Sequence, residues 1–93
     1  MEIEIALPRE VEADERQRLM AAEAERAREL AADGSIARLW RIPGRTANVG
    51  LWVAPDATAL HAALSSLPLF AWMDIRVQAL ARHPSDPLGA TDD

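Results

Sequence analysis

Apolar residues recur along this chain with two different periods, and the points where the period changes divide it into elements. Residues 1–7 alternate, with Ile3, Ile5 and Leu7 set against Glu2, Glu4 and Ala6, the period of two of a strand with one buried face. Pro8 closes that run. From Glu12 to Ala32 the composition turns to Ala, Glu, Arg and Leu, with neither Gly nor Pro until Gly34, which predicts a long helix stopped at a glycine. Ser35 to Ile42 returns to alternation and predicts a second strand, with Ile36, Arg38, Trp40 and Ile42 on one face and Ala37, Leu39 and Arg41 on the other. Pro43-Gly44 supplies a turn, proline fixing φ at its second position and glycine accepting positive φ at its third.

Thr46 to Ala54 is the partner strand of a hairpin, with Ala47, Val49, Leu51 and Val53 against Asn48, Gly50 and Trp52. Pro55-Asp56 opens a second helix over Ala57 to Ser66, with Asp56 as its N-cap and Leu60, Leu64 and Leu67 as its buried stripe. Trp72 to Leu80 alternates again and is read as a last strand. Residues 1–83 therefore form one domain, and 84–93, with two prolines, a glycine and three aspartates, are expected to be a mobile or partner-draped tail.

The order β-α-β-β-α-β predicts an α+β fold of the ferredoxin-like kind, a four-stranded antiparallel sheet with both helices on one face. Both faces of the hairpin carry large apolar groups, which a sheet with one wet face would not. The second face is expected to meet another subunit or to enclose a ligand. Length points the same way: a chain of 93 residues buries only roughly two-thirds of its unfolded surface, so a partner would help its small core. The first strand begins abruptly at Met1, so either it is short or the sequence starts inside a longer chain.

Composition narrows the chemistry. No cysteine means no disulfide, thiol nucleophile or thiolate metal site, and two histidines, His61 and His83, give no recognisable metal-ligand spacing, so no metal is expected. A net charge of −5 without a basic patch argues against a nucleic-acid partner. No signal peptide and no apolar run near the ~20 residues of a membrane span are visible, so a cytoplasmic protein without a membrane partner is expected.

One charge is out of place. On a helical wheel with Leu19 at zero, Leu19, Met20, Ala24, Ala27, Leu30 and Ala31 fall within an arc of roughly 140°, and Glu23 sits inside it at about 40°. As an edge residue it would reach water or pair with Arg26 or an arginine of the sheet. As a carboxylate in a dry pocket, its charged form would be disfavoured and its pKa raised toward the range useful for proton transfer. His61 flanks the second helix's stripe, either bonded to backbone or carboxylate, or contacting a ligand.

Leu39-Trp40-Arg41-Ile42-x-Gly44-x-x-Ala47-Asn48, then Leu67-Pro68-Leu69-Phe70-x-x-Met73-Asp74-Ile75, then Leu80-x-Arg82-His83-Pro84, closely resemble the muconolactone Δ-isomerase family from about Pro8 to Pro84. The resemblance implies a ferredoxin-like subunit of a homo-oligomer, decameric in the family, with no cofactor. It also implies conversion of (+)-muconolactone to 3-oxoadipate enol-lactone in the catechol branch of the β-ketoadipate pathway, by proton transfer through a dienolate. Glu23 matches an acidic residue on the family's first helix and is the expected base and proton carrier. Arg41 or Arg38 is expected to hold the substrate carboxylate, and Asn48 and His61 to donate to the lactone oxygen. The chain departs from the family pattern at Ile36-Ala37-Arg38, Thr46, Gly50 and Val53, which leaves a substituted muconolactone or another enolisable lactone open. Two other readings are a cofactor-free monooxygenase of the dimeric ferredoxin-like type and a non-catalytic oligomeric small-molecule-binding protein.

Overall fold

The computed structural model describes residues 1–8 and 10–88. Four strands, β1 (Glu2–Ile5), β2 (Ile36–Arg41), β3 (Ala47–Trp52) and β4 (Met73–Arg76), form one sheet in the order β2-β3-β1-β4 with antiparallel pairing throughout. Two helices, α1 (Ala13–Ala32) and α2 (Ala57–Ser65), complete the expected β-α-β-β-α-β order.

Local signals act where the sequence places them. Gly34 takes φ +89 just past the end of α1, a left-handed conformation that lets the chain reverse, and its N–H reaches back to Ala31 O at 3.2 Å. Pro43-Gly44 forms a type II turn, Gly44 at φ +77, closed by the Arg45 N–H to Ile42 O bond of 3.3 Å. Asp56 caps α2 by accepting from the Ala59 N–H at 2.7 Å.

The core lies between the sheet and the helices: Ile3 from β1, Leu30 from α1, Ile36 from β2, and Leu64 and Leu67 from α2 and the segment after it. Among the described residues, Leu30 and Leu69 are the two large side chains sealed completely, at 1% and 0% exposure.

Two expectations need correction. The last strand was expected to reach Leu80 but ends at Arg76, because the final rung with β1 is Glu2↔Arg76 and no rung lies opposite Gln78 to Leu80. Residues 77–88 are exposed. Their projection gives a radius of gyration of 15.1 Å, against about 12 Å for a compact chain of this length. The second correction concerns the faces of β2. Ile36 lies opposite Trp52 but Arg38 lies opposite Leu51, so Ala37 is a bulge that shifts the phase of the strand by one residue. Ile36 therefore shares the helix-bearing face with Leu39 and Arg41, while Arg38 and Trp40 lie with Val49 and Leu51 on the open face. Simple alternation had grouped Ile36 with Arg38 and Trp40.

The open face is apolar where water would meet it. Trp40 is 47% exposed and Val53 60%, with Val49 and Leu51 between them. The Arg38 guanidinium lies 4.8 Å from the centroid of the Trp40 ring, a cation–π contact on that surface.

Candidate active site

Glu23 is the chemically distinctive group. Its place in the apolar stripe of α1 brings it against the corner that follows α2, where Oε1 accepts the backbone N–H of Leu69 at 3.0 Å. The corner is rigid for local reasons: Leu67 and Leu69 are buried, the Phe70 N–H bonds to Leu67 O at 3.0 Å, and the Trp72 N–H bonds to Leu69 O at 2.9 Å. Glu23 itself is half-buried, and desolvation raises its pKa above the usual carboxylate range although the Leu69 N–H opposes the shift. It does not pair with Arg26, which instead binds Glu29 Oε1 at 2.9 Å and Ser66 Oγ at 2.9 Å.

Leu30 and Ile36 share one buried cluster and so fix the level of α1 over β2. Glu23 lies seven residues before Leu30, about 10 Å along the helix at ~1.5 Å per residue. Leu39 lies only two rungs beyond Ile36 in the antiparallel direction, because the bulge at Ala37 adds a residue without adding a rung, about 7 Å at ~3.3 Å per residue. The carboxylate thus stands beyond the Leu39↔Gly50 rung, at the level of Trp40↔Val49 and next to Arg41↔Asn48.

The register brings together some of the sequence-derived candidates. Arg41 and Asn48 are rung partners, and Asn48 is also opposite the core residue Ile3, so both belong to the helix-bearing face. Arg38 is on the other side of the sheet. His61 is exposed on α2, its ring edge-on to Phe70 with centroids 6.1 Å apart, so the Leu69-Phe70 step touches both Glu23 and His61.

Sequence patterning missed the Leu69 N–H, a backbone donor with no side-chain signature beyond its place in Leu67-Pro68-Leu69-Phe70. Among the described residues it also missed two buried polar atoms without a hydrogen-bond partner, Asn48 Oδ1 and Trp52 Nε1. A cleft of about 510 Å³, lined by Gly50, Trp52, Leu60, Val77 and Leu80 among others, opens at the Trp52 end of β3. That volume suits a small organic ligand.

Fold and site together define a ferredoxin-like α+β domain with a half-buried carboxylate of raised pKa standing over a sheet that bears an arginine and an amide. Comparison with known proteins agrees. The family model for muconolactone delta-isomerase matches residues 1–86. The muconolactone Delta-isomerase of Pseudomonas aeruginosa is 44% identical over 81 residues, covering 87% of this chain and 84% of that protein. The enzyme of the same name from Rhodococcus opacus is 33% identical over 84 residues, with 90% of each covered. A crystal structure of muconolactone isomerase at 3.3 Å resolution superposes with a TM-score of 0.85 at 40% identity, covering 92% of this chain and 90% of that one. The chain belongs to the muconolactone delta-isomerase family and is an isomerase.

Proposed function

We propose that this isomerase moves the ring double bond of muconolactone, or of a closely related enolisable butenolide, with Glu23 carrying the proton. The observation that supports this most directly is the Glu23 carboxylate itself: half-buried, raised in pKa, and anchored through one oxygen by the Leu69 N–H so that the other is left for the substrate. In the first step Glu23 takes a proton from the ring carbon bearing the side chain. The C–H electrons become the new π bond, and the old one shifts to place negative charge on the lactone carbonyl oxygen. Glu23 then returns a proton to the carbon next to that carbonyl, so the substrate's formula is unchanged and no external oxidant or reductant is required. A base with raised pKa suits both halves, since it must gain and lose the proton in one turnover.

Arg41 holds the side-chain carboxylate of the substrate, a role favoured for it over Arg38 by its position on the same sheet face as Asn48. Asn48 and His61 donate to the lactone oxygen. Incubation with (+)-muconolactone in deuterated water should show substrate loss and label in the product. Absence of both at high enzyme concentration would exclude this substrate.

The protein works as a homo-oligomer, decameric as in its family, in the cytoplasm. The exposed stripe of Trp40, Val49, Leu51 and Val53 supports burial of one subunit's open sheet face against another. Sedimentation at micromolar concentration should give a single large species, and a stable monomer would contradict the reading.

A further inference from the structure

We infer that Arg26 and Ser66 are positioning residues for the Glu23 carboxylate: their hydrogen bond is the second of two that lock the corner after α2 onto α1, and it keeps the Leu69 N–H on the carboxylate oxygen. The inference rests on the proton-transfer reading above and adds two residues that act through Glu23. The first observation is spacing. Glu23 and Arg26 are three residues apart on α1 and so lie on one face of it. Ser66 and Leu69 are likewise three residues apart across the corner. Glu23 Oε1 accepts from the Leu69 N–H at 3.0 Å, and Arg26 Nε donates to Ser66 Oγ at 2.9 Å. One such bond leaves the corner free to swing about it, whereas two, a helical turn apart, also set its angle.

The second observation is that each end of the Arg26–Ser66 bond is itself held. Ser66 caps the C-terminus of α2, and its hydroxyl donates to Ala63 O at 2.6 Å. A hydroxyl has one proton to give, so with that proton committed its lone pairs are left for Arg26. Arg26 NH1 binds Glu29 Oε1 at 2.9 Å, one turn further along α1, which restrains the guanidinium. From Ser66 the chain reaches Leu69 through Leu67-Pro68, with the Leu67 N–H bonded to Leu64 O at 3.1 Å and the Leu69 side chain wholly buried. Pro68 fixes its own φ. The Ser66 hydroxyl and the Leu69 N–H therefore belong to one stiff piece of chain, and a displacement at one is felt at the other.

The shift in the Glu23 pKa has two causes, burial, which raises it, and the Leu69 N–H, which lowers it. Around it, Arg26 and Glu29 of α1 are paired with each other, and residues 67–70 carry no ionisable side chain. His61 of α2 packs edge-on against Phe70, and the helix-bearing face of the sheet carries Arg41. The Leu69 N–H favours the ionised carboxylate, so a loosened corner weakens the one contact that opposes desolvation. Glu23 then releases its proton less readily and is aimed less consistently.

The test uses Ser66→Ala and Arg26→Met, which delete the acceptor and the donor. The Glu23 carboxyl is titrated by NMR of protein carrying isotope-labelled glutamate, its signal assigned by its absence from Glu23→Gln, alongside kinetics with muconolactone. Both variants should titrate Glu23 at higher pH than the wild type and move the acidic limb of kcat/KM the same way. They should also lower kcat about tenfold, within what a misplacement of roughly an ångström costs. Ser66→Thr, which retains the hydroxyl, should stay close to wild type in both measurements. The double variant should lose no more than either single one, because both remove the same bond. A lower thermal midpoint with an unmoved Glu23 titration would leave the bond merely structural and overturn the inference, as would losses that multiply in the double variant. The activity of Glu23→Gln separates the clamp from the reading beneath it. A wild-type rate there with a shifted titration in Ser66→Ala removes the base and keeps the clamp, whereas an inactive Glu23→Gln with an unmoved titration in Ser66→Ala sinks the clamp alone.

Discussion

Glu23→Gln should lower kcat by at least ~10²-fold while the protein stays folded, the loss expected when a general acid–base group is removed. The substitution is unusually clean here. A glutamine side-chain oxygen can still accept the Leu69 N–H, so the contact that positions the side chain survives while the titrating oxygen is replaced by an amide. Stability should move the opposite way to activity. The folded-state pKa of Glu23 is raised, so the native state holds its proton more tightly than the unfolded chain does. Stability from this group is full below the unfolded pKa and declines as pH rises toward the folded value. Once ionised, the carboxylate is therefore a burden on the fold that glutamine relieves. The same shift predicts that kcat/KM of the wild type falls on acidification with an apparent pKa above the usual carboxylate range. Steady-state kinetics across pH, with thermal melts of both proteins, check all three results. A wild-type rate in the variant would take Glu23 out of the mechanism.

Leu30→Ala should cost about 3 kcal/mol, read as a shift of the denaturation midpoint at an unchanged slope. Leu30 is only 1% exposed and joins α1 to Ile3 and Ile36 of the sheet and to Leu64 and Leu67 beyond. The buried cluster comprises five residues. A small domain with so few buried anchors has little to redistribute, and total stabilities are only about 5–15 kcal/mol. Because Leu30 sets the level of Glu23 over the sheet, the variant should also lose activity at temperatures where it remains folded. A loss below about 1 kcal/mol would mean that the helix is held chiefly by contacts outside this cluster.

Much of this architecture is legible in the residues. The long Ala, Glu, Arg and Leu run with its glycine stop locates α1 to within a residue, and Pro43-Gly44 and Asp56 mark the turn and cap that are observed. The helical wheel singles out Glu23 before any contact is known. What patterning cannot supply is phase and reach. One extra residue at Ala37 reverses the face assigned to Ile36, and alternation contains no sign of it. Strand length in β4 depends on what β1 can pair with, which is not a property of residues 77–80 themselves. Trp52 is grouped with Asn48 and Gly50 by alternation, as observed, but the reach of its indole back over position 50 depends on the absence of a side chain at Gly50, a relation between two positions and not a property of either.

The bulge at Ala37 has a consequence for how this subunit can change without losing its fold. It lies between the connection from α1 and the part of the hairpin that carries Leu39, Arg41 and Asn48, so the two can differ in phase by a residue and still keep Ile36 in the core. A one-residue insertion or deletion between Gly34 and Arg38 can be absorbed there, whereas the same event at Leu39 would carry side chains through the sheet and exchange helix-facing for outward-facing groups. The hairpin behaves as a cassette, free to acquire new residues while the helices stay where they are.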